Sequence, residues 1–213
     1  MSLGLGASLS KSGLATPGIV TDSLVMKHNY SAGSVVPVSD GAAYFSGSAA
    51  EHINCGSDST LNPTTNITIT AWVFPRTLDD FRYIVNRGDD FNGAYRFELG
   101  ATNIYAAFGT GSANTAISHA HGIAVNNWYH VTVTYDSSDA IVYVDGVSKG
   151  TTAITRTMEQ ASHDTLIGEH NPAGGNPFDG YICNVGIWNA VLTQPQIKSI
   201  MNKNYTGLST SEK

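Results

Sequence analysis

The chain has 213 residues and a formal net charge of -6, and only 13% of its residues are charged. Its 11 Lys and Arg side chains are scattered, which excludes nucleic acid as a partner because phosphate binding needs clustered cations. No apolar run approaches the ~20 residues of a membrane span, and the opening residues lack the basic start of a secretory signal.

Residues 1–38 differ in composition from the rest of the chain. They are rich in Gly, Ser, Leu and Thr, and Pro17 and Pro37 interrupt them. Such a segment buries little apolar surface on its own, so we expect an extended arm that is ordered when it docks on a partner. A loose tail is the alternative.

From residue 42 onward, short strands alternate with turns. Residues 66–73 alternate apolar and polar side chains, and so do residues 128–136, the pattern of strands with one buried face. Asp145 and Gly146 form a typical hairpin turn pair. Further strands are predicted at 43–45, 53–55, 83–86, 94–99, 104–108, 140–145, 166–168 and 181–189.

One helix is predicted near the C-terminus. Thr193 is its N-cap, Gln196 stands three residues later, and Pro195 falls in the first turn, where its missing N–H costs nothing. Its apolar stripe is formed by Ile197, Ile200 and Met201. Many short strands and one late helix predict an all-β antiparallel sandwich over residues 39–203, followed by a tail over 204–213.

The two cysteines are Cys55 and Cys183. A count of two permits a disulfide without implying one. The alternative is that both are small, buried, unpaired side chains.

Four segments carry a family resemblance. Residues 67–73, 128–136, 142–146 and 167–192 resemble, in order and spacing, the strands and helix lead-in of laminin G-like domains. The resemblance implies a concanavalin A-like jelly roll from about residue 42 to residue 201. That fold hosts lectins, adhesion modules, capsid parts and glycosidases, so it does not specify the function.

Segments 16–22, 33–43, 180–188 and 201–205 resemble parts of such domains in marine bacteriophage virion proteins. This resemblance implies a non-catalytic virion structural protein, a capsid decoration or a fibre. It would be assembled in the host cytoplasm, with its jelly roll outward and residues 1–38 docked on other virion proteins. We also expect a homo-oligomer. The alternative is a carbohydrate-binding adhesion module for host surface glycans, and the third hypothesis is a glycoside hydrolase.

Aromatic and hydrogen-bonding side chains on the predicted strands are the candidate sugar contacts. Trp72, Trp128 and His130 share a face opposite Val131, and Tyr143 lies on the following strand. Aromatic rings beside polar groups can stack a sugar ring. The alternative is that they form a packed second layer over the sheet.

The sequence offers two kinds of candidate metal ligand, paired histidines and carboxylates. His119 and His121 have the spacing that points two rings to one face of a strand, but no third ligand is placed. The resemblance implies acidic calcium ligands where this chain has Ser46 and Cys183, so we expect no cofactor, and bound calcium is the alternative. The remaining metal candidates are Asp89, Asp90 and Asp179.

No catalytic set is visible in the sequence. A glycosidase needs two carboxylates about 5–10 Å apart. Glu51, Glu98, Glu159 and Glu169 are isolated from one another along the chain. The sequence therefore predicts a protein that is not an enzyme.

Overall fold

The computed structural model describes residues 39, 41–49, 51–79, 81–88, 94–110, 113–155, 158, 162–170 and 175–212. Residues 1–38, the predicted docking arm, and the candidate ligands Asp89 and Asp90 lie outside these residues. The predictions made for them therefore stay predictions. Among the described residues no helix is long and apolar enough to cross a membrane.

The described residues form two antiparallel sheets of six strands each, which confirms the predicted jelly-roll sandwich. The first sheet consists, in spatial order, of β1 (Ala43–Ser46), β12 (Asp179–Trp188), β3 (Ile67–Pro75), β8 (Tyr129–Tyr135), β9 (Asp139–Val144) and β10 (Val147–Ala153). The second consists of β2 (Ile53–Asn54), β11 (Thr165–Ile167), β4 (Arg82–Arg87), β5 (Tyr95–Leu99), β6 (Asn103–Thr110) and β7 (Ala113–Ala120).

The core lies between the two sheets and follows the predicted alternation. Ile67 and Ile69 of β3 and Val131 and Val133 of β8 are fully buried against the second sheet. The Tyr135 ring stacks on Phe108 of the second sheet, with ring centroids 4.2 Å apart. The alternating pattern therefore assigns one face of each central strand to the core.

A helix, α1 (Gln194–Ile200), covers part of the outer face of the first sheet. It begins as predicted, with the Thr193 backbone N–H donating to Gln196 Oε1 over 2.8 Å. Ile197 and Ile200 are buried, and Met201 packs with Trp72 and Cys183.

Two hydrogen bonds tie this C-terminal cover to the sheet. The Trp72 indole N–H donates to the Met201 carbonyl over 2.9 Å, and the Gln194 amide donates to the Gly146 carbonyl over 2.8 Å. Asp145 and Gly146 both have positive φ, the conformation of the predicted hairpin turn, and Asp145 also accepts from the His130 backbone N–H. The hairpin and Trp72 together fix where the helix lies.

The two cysteine thiols are free, so the disulfide alternative is wrong. Cys183 points outward from the first sheet and is buried beside Trp72 and Met201. Cys55 follows the edge strand β2 of the second sheet and is exposed. Side chains on the outer face of one sheet and the edge of the other do not meet.

We expect Trp72→Phe to lower the free energy of unfolding by about 1–3 kcal/mol, because it leaves the Met201 carbonyl without its buried donor. Urea denaturation measures the change. Trp128→Phe, at a half-buried position on the same face, is the control and should change stability by less than about 0.5 kcal/mol. Equal losses in the two variants would contradict the anchoring role of Trp72.

Candidate functional site

Three of the four candidate sugar contacts lie beneath other parts of the protein. Trp72, His130 and Tyr143 are 1%, 2% and 6% exposed. The Trp72 and His130 rings pack edge to face with centroids 5.4 Å apart. Their burial fits the alternative of a packed second layer over the sheet, and a role for these three side chains in ligand binding stays a prediction.

Burial determines the charge of His130. Its desolvation lowers the pKa to about 3. Its Nδ1 lies 3.5 Å from the Thr132 hydroxyl, at the outer limit of a hydrogen bond. The imidazole is therefore neutral at physiological pH.

Trp128, the fourth candidate, belongs to a continuous row of aromatic rings at one end of the first sheet. Tyr44 pairs in register with Tyr181, and Tyr181 pairs with Phe74. Trp128 is next, since it immediately precedes Tyr129, the partner of Val73. Successive ring centroids are 5.1, 5.8 and 5.5 Å apart. We call these four residues, Tyr44, Tyr181, Phe74 and Trp128, the aromatic row.

The aromatic row is accessible. Tyr44 is 48% and Tyr181 38% exposed, while Phe74 and Trp128 are half-buried. The row crosses four neighbouring strands, so three interstrand spacings of about 4.8 Å give it a length of about 14 Å. It is therefore long enough to contact more than one unit of a linear ligand.

Polar groups stand at the Tyr44 end of the row. The Arg76 guanidinium lies 5.6 Å from the Tyr44 ring centroid and donates to the Tyr44 hydroxyl. Arg76 also pairs with Asp179 at 3.3 Å. Apolar ring faces next to charged hydrogen-bonding groups are the combination that binds amphipathic, hydroxylated ligands.

The outer face of the second sheet carries a different set of side chains. Arg96 and Glu98 of β5 form an ion pair at 2.8 Å, and Tyr83 and Tyr105 flank Glu98 in register on β4 and β6. Phe81, 44% exposed, contacts the Tyr105 ring. We call this surface the polar face. Sequence reasoning missed it because the residues are dispersed over three strands.

The metal candidates that the structure describes do not converge. His119 Nε2 lies 2.9 Å from the Thr152 hydroxyl, across the gap between the two sheets. His121 is buried, accepts from the Ile123 backbone N–H at Nδ1 and bonds the Gly100 carbonyl at Nε2. Asp179 is engaged by Arg76. Within the described residues no three metal-ligating side chains come together.

Comparisons with known proteins agree on the fold. The profile of the laminin G type 3 family, described as the concanavalin A-like lectin/glucanases superfamily, matches residues 46–198. No curated protein matches the chain.

Three solved structures illustrate the likeness. Domain 4 of AbnA, a GH43 extracellular arabinanase from Geobacillus stearothermophilus solved with arabinotriose, is 20% identical, with a TM-score of 0.61 over 76% of each chain. The CBM40 domain of the Ruminococcus gnavus IT-sialidase, bound to α2,3-sialyllactose, is 9% identical, with a TM-score of 0.62 over 76% of this chain and 96% of that one. The heptameric SAP-like pentraxin of Limulus polyphemus is 18% identical, with a TM-score of 0.53 over 67% and 76%. At these identities the likeness shows the fold alone.

The buried neutral His130 should make stability depend on pH. The unfolded chain binds a proton at His130 near pH 6.5, whereas the folded chain does so only near pH 3. Unfolding is therefore favoured as pH falls from 6.5 to 3, by at most about 1.4 kcal/mol per pH unit. Urea denaturation at pH 7, 5 and 4 should show this extra loss in the wild type and not in His130→Asn. An identical pH dependence in both proteins would overturn it.

Proposed function

We propose that this chain, which belongs to the concanavalin A-like lectin/glucanase superfamily, is a non-catalytic carbohydrate-binding module whose aromatic row binds an oligosaccharide. The observation that carries the proposal is the row itself: three aromatic rings in cross-strand register and a fourth, Trp128, packed against Phe74, with Tyr44 and Tyr181 more than one third exposed. Such rings are usually buried in a core, and an exposed contiguous group of them marks a binding surface.

The chemistry of the row suits sugars. A pyranose or furanose ring has a C–H face that packs on an aromatic ring and hydroxyls that need hydrogen-bond partners. The tyrosine hydroxyls of Tyr44 and Tyr181 and the guanidinium of Arg76 provide such partners beside the ring faces. The rings are carried by strands, which hold them in place before the ligand arrives and so reduce the entropy lost on binding.

The comparisons support the same ligand class. Two domains of similar fold were solved with arabinotriose and with α2,3-sialyllactose. Those sugars belong to those proteins, and their chemistry differs. Their fold nonetheless supports a glycan as the class of ligand for this chain.

The proposal is for binding without hydrolysis. Glycoside hydrolysis needs two carboxylates flanking one bond, about 5–10 Å apart, one of which stays protonated. Two of the four glutamates already have partners within the fold: Glu98 pairs with Arg96 at 2.8 Å, and Glu169 lies 2.9 Å from His52 Nδ1.

The place of the module in a larger assembly rests on the sequence resemblance to virion proteins. In that setting residues 1–38 would dock on the particle and the sandwich would present the aromatic row to host surface glycans. Oligomerisation would multiply weak single-site affinities, since linked sites bind with a high effective concentration.

A glycan array of host and bacterial oligosaccharides, followed by calorimetry with the best ligand, tests the proposal. We expect Trp128→Ala and Tyr181→Ala each to weaken binding at least about tenfold, or about 1.4 kcal/mol, because each removes one ring of the row. Phe81→Ala, an exposed aromatic residue on the polar face, is the matched control and should bind as the wild type does.

The outcome also decides between the two surfaces. If Phe81→Ala weakens binding and the aromatic-row variants do not, the glycan site is on the polar face of the second sheet. If the folded wild type binds nothing on the array, carbohydrate binding itself is refuted.

A further inference from the structure

A cavity of about 280 Å³ lies on the outer face of the first sheet, between the strands and the C-terminal segment. Its floor includes Thr70 and Trp72 of β3 and His130 of β8. Its walls include Trp188 at the end of β12 and Glu212 near the end of the described chain. The aromatic row lies further along the same strands and none of its four members lines the cavity, although Trp128 packs against the cluster that contains Trp72.

The shape of the cavity is fixed by the way β12 departs from regular pairing. The register of β12 with β3 shifts between Cys183 and Gly186, and Asn184 there has a φ of 50°. Such a bulge bends the strand and redirects its side chains, and bulges are frequent next to functional sites. Gly186 then lies directly beneath the Trp188 ring, since a Cβ at this position would come within 2.3 Å of Cη2 of that ring.

The Trp188 wall is anchored from the other side. Its indole N–H donates to the Glu212 carbonyl over 2.9 Å. The Glu212 carboxylate accepts from the Lys203 ammonium at 2.6 and 2.8 Å, and the Ser199 and Ser209 hydroxyls also donate to it. These bonds hold the last turn of the chain against the helix, and they lower the pKa of Glu212 to about 2. The Trp188 side of the cavity is thus held in place by hydrogen bonds and an ion pair.

The groups that face the ligand space are neutral or neutralised. The charge of Lys203 is compensated by Glu212. The His130 imidazole is uncharged, and Thr70 adds an uncharged hydroxyl to the cavity lining. The cavity therefore offers aromatic walls together with uncharged donors and acceptors.

We infer that this cavity is a second binding site, which takes a single neutral hydroxylated ring, the size of one sugar unit. Its volume is at the lower end of ligand pockets, which rules out the linear ligand that suits the 14 Å aromatic row. An anion is disfavoured because the Lys203 ammonium is already engaged by a carboxylate. The inference does not depend on the function of the aromatic row.

Trp188 and Trp128 report on the two sites separately. Trp188 lines the cavity, whereas Trp128 belongs to the aromatic row and packs beside Trp72, so the Trp72 signal is not used to tell the sites apart. The indole N–H signals of the full chain are followed by two-dimensional NMR during titration with the methyl glycosides of glucose, galactose and mannose, and with glucuronate. We expect at least one neutral glycoside to shift the Trp188 signal while the Trp128 signal stays in place, and glucuronate to shift neither.

A pair of matched variants assigns the shift to the cavity. Thr134 lies on the same face of the first sheet as Thr70, where it pairs with Thr68, but only Thr70 lines the cavity. Thr70→Val should weaken glycoside binding at least about fivefold, whereas Thr134→Val should leave it within about twofold of the wild type. Thermal unfolding of both variants checks that they are folded.

The possible failures are distinguishable. If no glycoside shifts the Trp188 signal of the wild type at concentrations up to roughly 50 mM, the cavity site is refuted. This holds even when oligosaccharides shift the Trp128 signal. Equal binding by the wild type and a folded Thr70→Val also overturns it, as does a Trp188 shift with glucuronate alone. A Trp128 that responds to no oligosaccharide bears only on the aromatic row.

Discussion

The hydrogen bond from the Trp72 indole to the Met201 carbonyl determines how the outer face of the first sheet is used. It places the C-terminal helix over the middle of the sheet, where Trp72 and Cys183 become a small second core. The next pair on the same face of β3 and β12 is Phe74 with Tyr181. The C-terminal segment does not cover this pair, so both side chains are accessible at the surface. The alternation that gives packing side chains under the helix gives exposed aromatic side chains beyond it, because the C-terminal segment covers the first group and not the second.

Much of the fold follows from local patterns in the sequence. The alternation in β3 and β8 assigns their core faces, the Asp145–Gly146 pair specifies a hairpin, and Thr193 with Gln196 marks the start of the helix. Each of these signals is contained within a few residues, so a single sequence reveals it. The sequence does not decide between a disulfide and two free thiols. The sheets in which Cys55 and Cys183 lie depend on strand pairing between residues that are far apart in the chain.

The candidate site could be predicted only in part. Alternation correctly put Trp72, Trp128 and His130 on one outer face, but it carries no information about which of them the C-terminal segment covers. Tyr44 and Tyr181 were missed because they are separated from Trp128 by long stretches of chain and meet it only through strand register. Phe74 stands two residues after Trp72 and therefore on the same face of β3, and this spacing is the sequence signal that could have revealed the row. Sites assembled across strands are in general less visible in a sequence than those built within one loop.

The edges of the sandwich carry a further consequence. Two of the four edge strands are short: β1 has four residues and β2 has two. The two longer ones, β7 and β10, belong to different sheets but are linked by the bond between His119 and Thr152, and the His119 ring lies so close to Gly150 that a Cβ there would overlap it. An exposed long edge can add strands from another molecule and nucleate aggregates. The contact between β7 and β10 places a side chain from one long edge against the backbone of the other, which hinders the addition of a strand from another copy at that point.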